Sequence, residues 1–203
     1  MSSLPRILVL GIGNILWADE GFGVRCAEAL AEHYVMPDHV TVMDGGTQGL
    51  YLLPYVEEAK RLLVFDAVDY GDPPGTLHIV VGDEVPRFMG AKKMSLHQTG
   101  FQEVLASAEL LGRLPDELVL IGCQPVELED FGGSLRDAVK AQIAPAIDVA
   151  CEWLTRWGAP PVRWEGAGRQ LNVDSLLMSA YEAGRPSARA ACRTGVARFM
   201  QED

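Results

Sequence analysis

The 203-residue chain has no uninterrupted apolar run of the roughly 18 to 20 residues that a membrane-spanning helix requires. Its best stretch, Ile7 to Ala18, is broken by Gly11, Gly13 and Asn14, so no membrane insertion is expected. A secretion signal's grammar is missing as well. Only Arg6 precedes that stretch as a basic residue, and the acidic pair Asp19-Glu20 stands where a small-residue cleavage site would fall. The chain is therefore expected in the cytoplasm. Basic residues are scarce, with 17 Lys+Arg against 28 Asp+Glu and a net charge of −11, which repels phosphate backbones and excludes nucleic acid as the expected partner. The four cysteines, Cys26, Cys123, Cys151 and Cys192, form no C-x-x-C pair, so neither a zinc knuckle nor a redox dithiol is indicated. They read as reduced, mostly buried thiols. Gly11-x-Gly13 begins a dinucleotide fingerprint, but Leu16 occupies the place of its third glycine and that reading fails.

What is present is an apolar, weakly charged chain. Hydrophobic residues make up 48% and charged residues 22%, with a mean hydropathy of +0.09, enough to fill a core without staples. The pattern alternates strands and helices. Arg6–Leu10, Val40–Val42, Leu62–Phe65, Thr76–Val81 and Leu118–Ile121 read as strands. Helical spacing covers Val24–Tyr34, Gln98–Leu111 and a long Leu135–Trp157 segment, with Gln48–Lys60 a helical or irregular crossover. Near-continuous apolar strands imply a sheet covered on both faces, a three-layer α/β/α sandwich. The fourth strand follows the third too closely for a helical crossover, which points to antiparallel pairing.

Gly158-Ala159-Pro160-Pro161 then breaks the pattern, dividing a domain at 1–157 from a tail at 158–203. The tail has six Arg and no Lys against five acids, net +1, which leaves −12 on the preceding residues. Helical stretches are expected near Val173–Ala183 and Ala188–Met200. In the tail, Arg185, Arg189, Arg193 and Arg198 recur near one helical face, either as a solvated stripe or as a docking stripe for an acidic surface.

Ligands of open α/β sheets gather beyond the carboxyl ends of the strands. Three strands end there in polar residues. The glycines after the first strand permit a sharp turn, and Asp19 and Glu20 then sit at the start of the first helix, where a cap and a favourable dipole charge would also explain them. Asp44-Gly45-Gly46-Thr47 follows the second strand, as a close approach for a substrate chain or as a plain turn. Asp66 ends the third strand. Of four histidines, only His97 lies at the beginning of a helix on the far side of the third and fourth strands. Glu20, Asp66 and His97 make a carboxylate and imidazole set that suits nickel or zinc better than calcium or magnesium. No H-E-x-x-H or short ligand spacing reinforces it. Cys123 is either a nucleophile, a soft ligand or a buried thiol.

Together these segments resemble the [NiFe]-hydrogenase maturation endopeptidases. The resemblance runs through Gly11-x-Gly13-Asn14-x-Leu16-x-x-Asp19-Glu20-x-x-Gly23, Asp44-Gly45-Gly46-Thr47-x-Gly49, Asp66-Ala67, Ser95-x-His97-Gln98-x-Gly100 and Gly122-x-Gln124-Pro125. The phrases Trp17–Gly23 and Lys92–Gly100 look like the branch serving membrane-bound uptake hydrogenases. The resemblance covers about residues 6–155 and leaves the tail outside. It implies a mixed, mostly parallel five-stranded sheet with one antiparallel strand. It also implies a cytoplasmic peptidase that removes a C-terminal extension from the hydrogenase large-subunit precursor after nickel insertion. Glu20, Asp66 and His97 would recognise that nickel, which is carried by the substrate; zinc or cadmium would take the same ligands. Gly45, Gly46 and Thr47 are the expected substrate-binding residues. For the cut itself, a metal polarising the amide and an acid-protease scheme using Asp19 with Asp44 both stay open. A nickel-sensing chaperone that binds the precursor uncut, and a general metallopeptidase with resident zinc, are the alternatives.

Overall fold

The computed structural model describes residues 4–86, 96–166 and 168–184, without the side chains of 96–99. A five-stranded sheet in the order β3-β1-β4-β6-β5 forms the middle layer. Its strands are β1 (Ile7–Ile12), β3 (Val40–Gly46), β4 (Arg61–Ala67), β5 (Leu77–Val81) and β6 (Glu117–Cys123). The β1/β3, β1/β4 and β4/β6 pairs are parallel and β5/β6 is antiparallel, as the short link before β5 required. A two-residue ribbon, β2 (Tyr34–Val35) with β7 (Val162–Arg163), lies outside this sheet.

Side-chain alternation along each strand feeds two cores. Ile7 and Val9 of β1 face a core with Leu63 and Phe65 of β4, under α1 (Phe22–His33) and α5 (Ile143–Arg156). Leu8, Leu10 and Ile12 face the other core, shared with Phe101, Val104 and Leu105 of α3 (Leu96–Leu110) and Val56 of α2 (Leu53–Glu58). Both faces are covered along β1, β4 and β6, which explains why these strands lack polar alternation, whereas Ile79 and Val81 of the edge strand β5 are exposed. No helix among the described residues is long and apolar enough to cross a membrane.

Several boundaries differ from the sequence expectation. The long helix Leu135–Trp157 is two, α4 (Asp137–Lys140) and α5, separated at Ala141-Gln142. Pro145 lies in the first turn of α5, where its missing N–H costs nothing; an unbroken helix would drive its ring into the Ala141 carbonyl. The first helix stops at His33 because Tyr34 is extended and pairs with Arg163. β3 runs through Asp44, Gly45 and Gly46, so this motif is strand rather than turn. The expected tail helix at 173–183 becomes a 3-10 turn, Asp174–Leu176, followed by α6 (Met178–Gly184). Ala188–Met200 and the arginine stripe lie outside the described residues.

Candidate active site

The strand order reverses direction at β1, which has β3 on one side and β4 on the other. The crevice beyond these carboxyl ends is the expected ligand position of such a sheet. Glycines bring the next turn, Ala18–Gly21, close above it. A Cβ on Gly13, whose φ is +129°, would fall 1.8 Å from the Glu20 carbonyl oxygen; on Gly23 it would fall 2.2 Å from that of Phe65. Only glycine admits such backbone contact. Asn14 N–H donates to the Glu20 carbonyl at 3.2 Å, and Ala18 adopts a left-handed φ of +40° immediately before the two acids. Non-glycine residues held in that region cluster at functional sites.

Asp19 is fully buried, and three backbone N–H groups surround its carboxylate. Val126 and Glu127 donate to Oδ2 at 2.9 Å each, and Arg136 donates to Oδ1 at 2.6 Å. The loop after β6 is thus folded around this one side chain. Its other fastenings are Gly132 N–H to the Leu16 carbonyl at 2.7 Å and an Arg136–Asp130 ion pair at 2.7 Å, which raises the guanidinium's affinity for its proton. Glu20 and Asp66 are 7% and 1% exposed. The Ala18–Gly21 turn packs on the end of β4, so the two carboxylates stand on neighbouring elements at the reversal point. Tyr70 is pushed up by burial and then by the charge of Asp66.

Asp44 is held differently. Its α-carbon is in register with Gly11, its Oδ2 accepts from Asn172 Nδ2 at 2.8 Å, and its Oδ1 is buried without a hydrogen bond among the described residues. Gln48 Nε2 donates to the Asp44 carbonyl at 3.3 Å. Gly46, at φ +45°, lies beside Oδ1, and Thr47 is exposed. No hydrogen bond joins Asp44 to Asp19; the first faces the tail and the second faces the loop after β6.

His97 falls in the first turn of α3, and its side chain lies outside the described ones. The backbone still places that turn: Gly100 approaches Gly49 so closely that a Cβ on Gly100 would lie 3.3 Å from the Gly49 Cα. The start of α3 therefore packs just beyond the end of β3. Among the described residues no three His, Cys, Asp or Glu side chains form a metal-holding group, so the expected set contributes Glu20 and Asp66 here and His97 beyond the description. Cys123 is buried, and burial followed by the charge of Asp19 pushes its thiol up to about 12, which removes it as a nucleophile.

A family model described as hydrogenase maturation protease matches residues 24–153. The chain belongs to this family. It is 60% identical over 198 residues to the hydrogenase expression/formation protein HoxM of Azotobacter vinelandii, covering 98% of this chain and 96% of that protein. It is 43% identical over 144 residues to the hydrogenase 2 maturation protease of Escherichia coli, covering 70% and 87%. The solved structure of the hydrogenase maturating endopeptidase HybD from E. coli superposes with a TM-score of 0.74 at 39% identity, over 78% of this chain and 97% of that one. The protein is accordingly a peptidase of the uptake-hydrogenase branch of the maturation proteases, with their α/β fold.

Within a maturation protease, two residues gain a role that composition did not signal. Gln124 is 4% exposed and organises the loop after Asp66. Its Oε1 accepts from Tyr70 N–H at 2.8 Å and its Nε2 donates to Asp69 Oδ1 at 2.8 Å. The Gly122-x-Gln124-Pro125 motif already contained it. Asn172, in the tail, carried no signal of any kind.

Proposed function

We propose that the protein removes the C-terminal extension of a [NiFe]-hydrogenase large-subunit precursor in the cytoplasm, after nickel insertion, and that it reads the nickel in its substrate through Glu20, Asp66 and His97. The observation that carries this reading is the pair of buried carboxylates, Glu20 and Asp66, at the reversal point of the sheet. Two hard oxygens with one imidazole suit a borderline ion such as nickel, and three protein ligands leave positions for the ligands that the precursor brings. Zinc or cadmium would occupy the same set in the isolated protein.

In this reading the bound nickel fixes the precursor, and its C-terminal segment runs over Gly45, Gly46 and Thr47. Asp44 Oδ1, buried and beside Gly46, is the proton acceptor for the attacking water. The water oxygen bonds to the scissile carbonyl carbon, the C–N bond breaks, and the proton held at Asp44 passes to the departing nitrogen. Asp19 acts through its three backbone contacts, holding the loop at the rim rather than sharing a proton with Asp44.

Incubating the protein with nickel-loaded precursor, followed by mass spectrometry of the large subunit, tests the reading. Wild type shortens the precursor; nickel-free precursor is left whole; Glu20→Gln, Asp66→Asn and His97→Ala variants leave it whole while staying folded. A precursor that is bound but uncut by wild type would make the protein a chaperone instead.

A further inference from the structure

The tail follows α1 back towards the site. Trp164 N–H donates to the His33 carbonyl at 2.8 Å and Arg169 N–H to the Ala31 carbonyl at 3.2 Å, satisfying acceptors that a helix end leaves open. Gly168 lies against the Glu32 carbonyl, at a point where a Cβ would be 1.8 Å from the oxygen. Further along, Asn172 Nδ2 donates both to Glu28 Oε1 and to Asp44 Oδ2, at 2.8 Å each. Glu28 holds Arg25 at 2.8 Å, and Arg25 donates to the Leu176 carbonyl at 2.6 Å beneath the Tyr181 ring. A buried ion pair on α1 thus anchors the amide that fixes one oxygen of Asp44.

Beside that contact is a cavity of about 370 Å³, whose walls include Asp44, Gln48, Met43, Arg169, Gln170 and Asn172. One wall is β3 and the turn after it; the other is tail. Gln48 and Gln170 offer side-chain amides, each a donor and an acceptor, matching the alternating groups of an extended peptide backbone. The Arg169 guanidinium adds donors for carbonyl or carboxylate oxygens. The family match ends at residue 153, whereas the alignment with the A. vinelandii relative covers 98% of this chain.

We infer that Arg169–Asn172 forms a substrate subsite of the peptidase, in which Asn172 positions Asp44 and Arg169 with Gln170 receives an extended peptide segment of the substrate. The inference rests on the reading of Asp44 given above. Asn172 is a positioning residue: it donates to Asp44 Oδ2 and to Glu28 Oε1, which fixes the amide between them and leaves Asp44 Oδ1 beside Gly46.

The test uses the full-length protein with nickel-loaded precursor, measuring kcat and KM separately and precursor binding by titration. Asn172→Ala is expected to lower kcat at least about tenfold with little change in KM, at temperatures well below its melting point. Arg169→Ala with Gln170→Ala, both exposed positions, is expected to raise KM and the dissociation constant about tenfold while kcat holds. Wild-type kcat in the first variant, or wild-type KM and binding in the second, overturns the subsite. Should Asn172→Ala fail to fold, the exposed pair decides alone. If wild type binds precursor without cutting it, the peptidase reading falls and the binding arm still judges the subsite.

Discussion

Asn172 Nδ2 reaches across 128 positions of sequence to hold Asp44 Oδ2 at 2.8 Å. Asp19, the other carboxylate of the expected acid pair, is held by three backbone N–H groups of the loop after β6. The two acids thus receive different support, one from an adjustable side chain and one from fixed main chain. Their replacements should fail in different ways.

Asp19→Ala removes the buried acceptor of three backbone donors. A charged hydrogen-bond set of this kind is worth several times a neutral bond, and the expected loss is about 3 kcal/mol. Urea denaturation measures it. An unchanged midpoint would mean that the loop at 126–136 is held by its other contacts.

Gly46→Val should act on processing more than on folding. The left-handed φ of +45° costs a branched residue about 1–2 kcal/mol. Its Cβ would also stand 3.3 Å from Asp44 Oδ1, with the methyl groups projecting into the proposed peptide path. A folded variant by circular dichroism that cuts precursor at the wild-type rate would free Gly46 from any substrate role.

Cys123→Ala should keep its peptidase activity, since a thiol raised to about 12 supplies almost no thiolate at neutral pH. The native protein should resist iodoacetamide at Cys123 and react there only after unfolding, as read by peptide mapping. Loss of turnover in a folded Cys123→Ala protein would return the thiol to the site.

Glu182 ties α6 to the body through Lys140, at 2.9 Å, and Ser134, at 2.8 Å. The Lys140 contact is the largest of the influences lowering its proton affinity in the folded chain. A lowered folded value contributes stability above the unfolded glutamate range near about 4.3 and loses it as pH falls through the folded value. Glu182→Gln should therefore melt lower than wild type at pH 7, by a small margin because the pair is partly exposed, and the difference should close at acidic pH. A margin that widens with acid would reverse the assignment.

The sheet could be read from the chain because its strands are short, mostly apolar and in several cases punctuated by Gly or Asp at their carboxyl ends. The same punctuation marked Glu20, Asp44 and Asp66. The break before Pro145 was missed because the apolar spacing continues across it. The tail's path was illegible for a different reason. Asn172, Arg169 and Trp164 meet α1 through main-chain carbonyls and single side chains, which leave no periodicity in either segment. Gln124 was visible as a motif member, but its grip on Tyr70 and Asp69 depends on a loop conformation that spacing does not encode.

The capping of α1 by residues near the other end of the chain bears on how the enzyme is born. During synthesis the helix ending at His33 leaves the ribosome with its last carbonyls open, long before Trp164 and Arg169 exist to meet them. Asp44 likewise waits for Asn172. A chain cut short in that interval carries the family motifs from Gly11 to Pro125 yet ends without Asn172, the partner of Asp44 Oδ2. On the proposed role of Asp44, translation to the tail is the step that finishes the site, and a premature stop there would leave a protein that resembles the enzyme without equalling it.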